Sequence, residues 1–185
     1  MGESSSEVKG IWFSSLRSYL SETRGPESIA KLVEALPGDH GAAVADPMVS
    51  AWYPEDTLSL TLEHTYEVIA GGDDEAFEAL IRGVTVQGVG RFFRVLLHFT
   101  SPAFVVRKIP VVWSRLRRGA GEVTVERTPR GALVRYRSFP YFEQRTYRIM
   151  TTGAIRGMLE ACGAKAPRIA IVARTRDSLD VEVET

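Results

Sequence analysis

One cysteine, Cys162, three histidines and no surplus of either charge mark this chain of 185 residues. A single thiol excludes an intramolecular disulfide framework and suits a reducing compartment, so a cytoplasmic location is expected. The 23 basic and 23 acidic side chains cancel. That balance removes the bulk electrostatic reason for binding nucleic acid or an anionic membrane. No apolar run approaches the ~20 residues that a spanning helix needs, so no membrane insertion is expected. Residues 1–7 are polar and are expected to form a disordered tail.

Signatures of chemistry are equally scarce. His40, His64 and His98 do not share the two-His helical spacing of a zinc site, so no metal is assigned. Ser14, Ser15 and Ser50 lack the glycine context of a nucleophile elbow. Gly83, Gly88 and Gly90 are followed by no Lys-Ser/Thr pair, which excludes a phosphate-cradling loop. Cys162 falls on the apolar stripe of a helix, where a thiol behaves as a small hydrophobe. No catalytic residue and no cofactor are nominated, and the chain is read as a non-enzyme.

What is present is globular patterning. Hydrophobic residues at 44% and charged residues at 25% suffice for a real core. A single domain over 8–185 is expected, mainly helical through 8–118 and sheet-bearing through 121–185. In the helical part, Ile29, Leu32, Val33 and Leu36 share one face, as do Leu58, Leu62, Tyr66 and Ile69, and again Phe77, Leu80, Ile81 and Val84. Pro26 suits a first helical position, Asp73 or Asp74 and Ser101 suit N-caps, and Pro110 should kink the helix that begins at Pro102. The stretch from Asp39 to Pro47 reads as loop.

The sheet part reads as strand, strand, helix, strand, strand. Val123, Val125, Val134, Tyr136, Ile169, Ile171, Leu179, Val181 and Val183 alternate with charged residues, as a half-solvated antiparallel sheet requires. Thr128-Pro-Arg-Gly131 fits a type I turn. A long helix from Phe142 to Cys162 carries Ile155, Met158, Leu159 and Cys162 on the stripe expected to cover the sheet. The fold class is therefore α/β in the α+β sense, with an antiparallel sheet of about four strands.

Two groups of side chains suggest binding. Trp52, Phe92, Phe93, Phe104, Trp113 and Tyr136 could line a pocket for a small apolar ligand, or could simply pack one core. Arg115, Arg118, Arg135 and Arg137, with Arg117, Arg127 and Arg130 nearby, could dock an acidic protein partner or form a solvated rim.

Val8-Lys-Gly10, Ala35-Leu-Pro37, Ser50-Ala-Trp-Tyr-Pro54 and Leu159-Glu-Ala-Cys-Gly163 resemble an uncharacterised paralogous family of myxobacteria. More remotely, the layout resembles a superfamily with three branches: haem nitric-oxide/oxygen-binding sensors, four-vinyl-reductase-type ligand-binding domains and TRAPP trafficking subunits. In the haem branch a Tyr-x-Ser-x-Arg motif holds the propionates. Here Tyr136-Arg-Ser138-Phe-Pro140 keeps Tyr and Ser and replaces Arg with Pro, and the resemblance places Trp113 where the haem-binding histidine would stand. The zinc-binding cysteines of the four-vinyl-reductase branch have no counterpart between Val172 and Val183. The resemblance thus implies a sensor or adaptor domain without haem or zinc, responding to a small apolar ligand or a protein partner in signalling. Its alternatives are a haem-based gas sensor with a rearranged ligand, His98, or a self-association module, with a homodimer left open.

Overall fold

Val8 is fully buried at the centre of a three-residue strand, β1 (Glu7–Lys9), from which the rest of the chain is hung. The structure is a computed structural model that describes residues 6–97 and 101–184, without the side chains of 89–97. A tight joint at Gly10 turns β1 into α1 (Ile11–Arg24); a Cβ on Gly10 would lie 2.1 Å from the Met48 carbonyl oxygen. Gly25, at φ 83°, ends α1, and Pro26 opens α2 (Pro26–Ala35). The loop expected from Asp39 to Pro47 is instead partly helical, α3 (His40–Ala45). Its Gly41, Ala43 and Val44 are buried, so tertiary packing sustains a helix too short for a periodic signal.

Next come β2 (Trp52–Pro54) and α4 (Glu55–His64), which continues directly into a π-helical turn, Thr65–Ile69. Asp73 caps α5 (Asp74–Leu97), its carboxylate accepting the Ala76 N–H at 2.7 Å. Ser101 caps α6 (Pro102–Leu116), its hydroxyl accepting the Phe104 N–H at 3.3 Å. The residues expected to end that helix, Arg117–Arg118, are extended as β3. β4 (Glu122–Thr128) and β5 (Gly131–Arg137) form the first hairpin. The following helix begins later than Phe142: a 3-10 turn, Pro140–Glu143, precedes α7 (Arg145–Ala161) because Pro140 and an extended Gln144 delay it. β6 (Arg168–Arg174) and β7 (Leu179–Glu184) complete the chain.

Among the described residues these elements make two antiparallel sheets. The larger has the order β4-β5-β7-β6, with Val134 opposite Val181 and Tyr136 opposite Leu179. Alternation holds where it was expected: Val134, Tyr136, Leu179, Val181 and Val183 are buried. It fails at Ile171, which is 40% exposed. β6 is an edge strand, and a register shift between Ile171 and Ala173 breaks its alternation. The smaller sheet, β2-β1-β3, pairs Val8 with both Tyr53 and Arg117.

The expected single covering helix is also shared between two. α6 contacts β4 and β5, while α7 contacts β6 and lies chiefly along α5. There Gly153 and Gly157 let the two helices approach closely; a Cβ on Gly157 would sit 2.8 Å from the Arg82 carbonyl oxygen. One buried apolar cluster runs from Val8 and Phe13 through α5 to Val183, so helical and sheet parts share a core. No helix of the described residues is long and apolar enough to cross a membrane.

Candidate functional site

The switch from α6 to β3 decides where Arg117 goes. The helix stops at Leu116, Arg117 becomes extended at φ −134° and ψ 151°, and pairing with Val8 fixes it there. Its side chain turns into the protein and is 5% exposed. Pro54 likewise ends β2 and starts α4 with Glu55, whose side chain is wholly buried and whose N–H donates to the Ser6 carbonyl at 2.9 Å. Burying either charge alone would cost several kcal/mol, on the order of 3–5. The two meet instead: Arg117 Nε donates to Glu55 Oε1 at 3.1 Å.

Other groups complete the carboxylate's shell. The Tyr147 hydroxyl donates to the same Oε1 at 2.8 Å, and the Ser6 hydroxyl lies 3.5 Å from Oε2. Glu55 also sits in the first turn of α4, where the helix dipole favours an anion. The guanidinium lies 4.4 Å from the Trp113 ring centroid and 5.6 Å from that of Phe139, a cation–π arrangement strengthened by desolvation. Arg117 Nη2 is buried without a hydrogen-bond partner among the described residues.

Around this pair the aromatic rings pack on one another. Trp113 meets Tyr136 at 5.4 Å and Phe139 at 5.0 Å, and Phe142 meets Tyr136 at 5.3 Å and Phe139 at 5.1 Å, in edge-on geometries. Burial pushes the phenol of Tyr136 up. It pushes Tyr147 well above the ordinary tyrosine range, with the charge on Glu55 adding to the effect and Arg117 opposing it. Tyr147 is therefore a fixed hydrogen-bond donor. The arrangement is a charge-compensated aromatic box, with the Arg117–Glu55 pair at its base.

Of the residues singled out in the sequence, Trp113 and Tyr136 come together in this box. Trp52 lies on the small sheet, with the Lys9 ammonium 4.3 Å and the Arg118 guanidinium 4.6 Å from its ring centroid. Phe104 stands near the start of α6, 39% exposed, beside Arg107 and Lys108. The side chains of Phe92 and Phe93, and the whole of His98, lie outside the described residues. The arginines do not form one open face. Arg118 pairs with Glu7, Arg135 with Glu126 and Asp180, and Arg137 with Asp180, while Arg115 is exposed on the last turn of α6. Sequence reasoning missed Glu55 and Tyr147 and treated Arg117 as one more surface cation. A carboxylate placed directly after Trp-Tyr-Pro was the available signal.

No family model matches the sequence, and no curated protein matches it. Solved structures do match, at low identity. An H-NOX protein from S. oneidensis in the Fe(II)NO ligation state is similar with a TM-score of 0.66 at 15% identity, over 96% of this chain and 99% of that one. A triple mutant of an S. oneidensis H-NOX protein, in the Fe(II) ligation state, gives 0.68 at 17%, over 95% of both chains. The Fe(II) unliganded H-NOX protein from K. algicida gives 0.65 at 12%, again over 95% of both. The chain therefore has an H-NOX fold.

Those neighbours were solved in iron-ligation states, and a haem here would need an axial ligand and a partner for its propionates. Neither described histidine is on α6: His40, on α3, has Nδ1 2.9 Å from the Thr57 hydroxyl, and His64, on α4, lies beside Glu67. Trp113 and the other rings occupy one another's faces and edges on the inner side of α6. The buried cation there is paired with Glu55 through Nε, and its Nη2 has no hydrogen-bond partner among the described residues. Ser138 is exposed at φ 57°, and Pro140 stands two residues beyond it.

Proposed function

We propose that this chain is a non-enzymatic, haem-free sensing or adaptor domain of H-NOX fold, acting in cytoplasmic signalling through a small ligand or a protein partner. One such domain takes in Ser6 and Glu7, expected in the tail, together with 8–185, since Glu7 opens β1 and the Ser6 carbonyl accepts from the Glu55 N–H. The observation that carries this reading is the buried Arg117–Glu55 pair beneath Trp113, which fills the interior beside α6 with protein charge and protein rings. The mutual packing of Trp113 and Tyr136 favours transmission through a partner over an apolar ligand held between them. The absorption spectrum of the purified protein, titrated with haemin, tests it. The expected result is no saturable Soret shift; a sharp, saturating Soret band would overturn it.

The likeness to structures solved in Fe(II) and Fe(II)NO states supports a second reading, a haem-based gas sensor that uses His98. That reading requires the Soret band to disappear in His98→Ala. A third, a self-association module, requires a stable dimer without any ligand, burying more than ~1,000 Å².

A further inference from the structure

At the far end of the sheet from the aromatic box, α6 and the β4–β5 turn flank a solvent-open cleft of about 550 Å³. This lies within the ~300–1,000 Å³ of typical small-molecule sites. We propose that this cleft binds a monomeric amphiphilic anion: a carboxylate or phosphate head carrying a short aliphatic tail. The inference is independent of whether the aromatic box excludes haem.

Charge on the cleft is one-sided. Arg107 of α6, Arg127 of β4 and Arg130 of the turn all line it. Arg107 and Arg127 have no carboxylate partner among the described residues, in contrast to Arg118, Arg135 and Arg137. Arg130 reaches Glu184 at 3.7 Å, but its side chain is 80% exposed, so the pair is weak and readily exchanged. Guanidinium groups present planar pairs of donors that match carboxylate and phosphate oxygens.

The floor between the cations is apolar, made of Val106, Ala132 and Val183, which are themselves buried, and the exposed apolar rim is Ala103 and Pro129. A plain inorganic anion would leave that rim unused, whereas a short aliphatic tail would lie on it. The hydroxyl of Thr128, another lining residue, is buried without a hydrogen-bond partner among the described residues. Such an orphan is costly unless something supplies the missing bond, and a χ1 rotation would offer it to an oxygen of the head group. The wall is also held in place: a Cβ at Gly131 would lie 2.1 Å from the Val183 carbonyl oxygen, so the turn is seated directly on β7.

Calorimetric titration of the full chain with decanoate, decyl phosphate and decanol, each below its micelle threshold, tests the proposal. Both anions should bind saturably at one site per chain and decanol should not. Arg107→Ala with Arg127→Ala should weaken binding ~10-fold or more, the loss of two charge-assisted contacts. Ala103→Trp should block the cleft without touching the charges. Residues 103, 107 and 127 are exposed, and unchanged thermal melts would show that the fold survives. Three results overturn the proposal: no binding, equal binding of decanol, or affinities unmoved by both variants. Anionic phosphatidylglycerol vesicles form the last arm. Binding to vesicles but not to monomeric decanoate would make the arginines a lipid-surface patch and also overturn it.

Discussion

Arg117 Nε and Glu55 Oε1 lie 3.1 Å apart, with side chains 5% and 0% exposed, although 62 residues separate them in the chain. Neither charge could stay where it is without the other. Glu55→Gln should therefore destabilise the protein by about 3–5 kcal/mol in urea denaturation, because it strands a buried guanidinium. The double variant Glu55→Leu with Arg117→Met should recover most of that loss, since apolar replacement of a whole buried pair is often neutral, within ~1–2 kcal/mol. A double variant as unstable as the single one would show that the pair itself, and not its desolvation, holds this region together.

Why was this pair invisible in the sequence while the large sheet was legible? The sheet is half-solvated, so every second residue from Val134 to Tyr136 and from Leu179 to Val183 reports which side it faces. Strands of two or three residues, such as Trp52–Pro54 and Arg117–Arg118, are too short to show a period. Their pairing through β1 is a long-range event that no local window contains. Arg117 follows a helix that already carries Arg115 in its last turn, where cations are expected in water. One residue of extended backbone reverses its direction, and only tertiary context specifies that residue. Ile171 misled in the opposite sense: the sequence alternates there, but burial does not, because an edge strand with a register shift leaves it uncovered.

High pH should weaken the fold from about pH 10 upward. Burial raises the phenols of Tyr136 and Tyr147, so above the ordinary tyrosine value near 10 the unfolded chain releases protons that the folded chain retains. Stability from these residues is complete below that value and falls by ~1.4 kcal/mol per pH unit for each until the folded value is reached. Urea midpoints measured between about pH 8.5 and 11 check this, and Tyr136→Phe should flatten the slope only in part, because burial also raises the phenols of Tyr147 and Tyr141. A slope unchanged in that variant would assign the loss to other groups.

Gly157→Ala should destabilise despite the better helix propensity of alanine. The new Cβ would lie 2.8 Å from the Arg82 carbonyl oxygen and 2.9 Å from Thr85 Cβ, and backbone cannot yield as a flexible side chain can. Overpacking of about 1–3 kcal/mol outweighs a propensity gain of about 1 kcal/mol. A thermal melt that rises in Gly157→Ala would mean that α5 and α7 slide apart freely.

Edge strand β6 should behave as a liability in concentrated solution. Ile171 and Val172 are 40% and 52% exposed on a strand whose outer edge no other strand covers among the described residues. Val172→Lys should leave the unfolding free energy from urea denaturation within ~0.5 kcal/mol of the parent while reducing any self-association seen by sedimentation. Unchanged association would exclude this edge from the contact.

The three residues of β1 have a kinetic consequence. They join segments that lie far along the chain, and the Glu7–Arg118 contact closes a span of 111 residues. Such closures are entropically expensive and come after local helices and hairpins have formed. β1 is therefore expected to close late on the route to the native state. Val8→Ala should then speed unfolding far more than it slows refolding in stopped-flow measurements, which would place control of the folded lifetime at Glu7–Lys9.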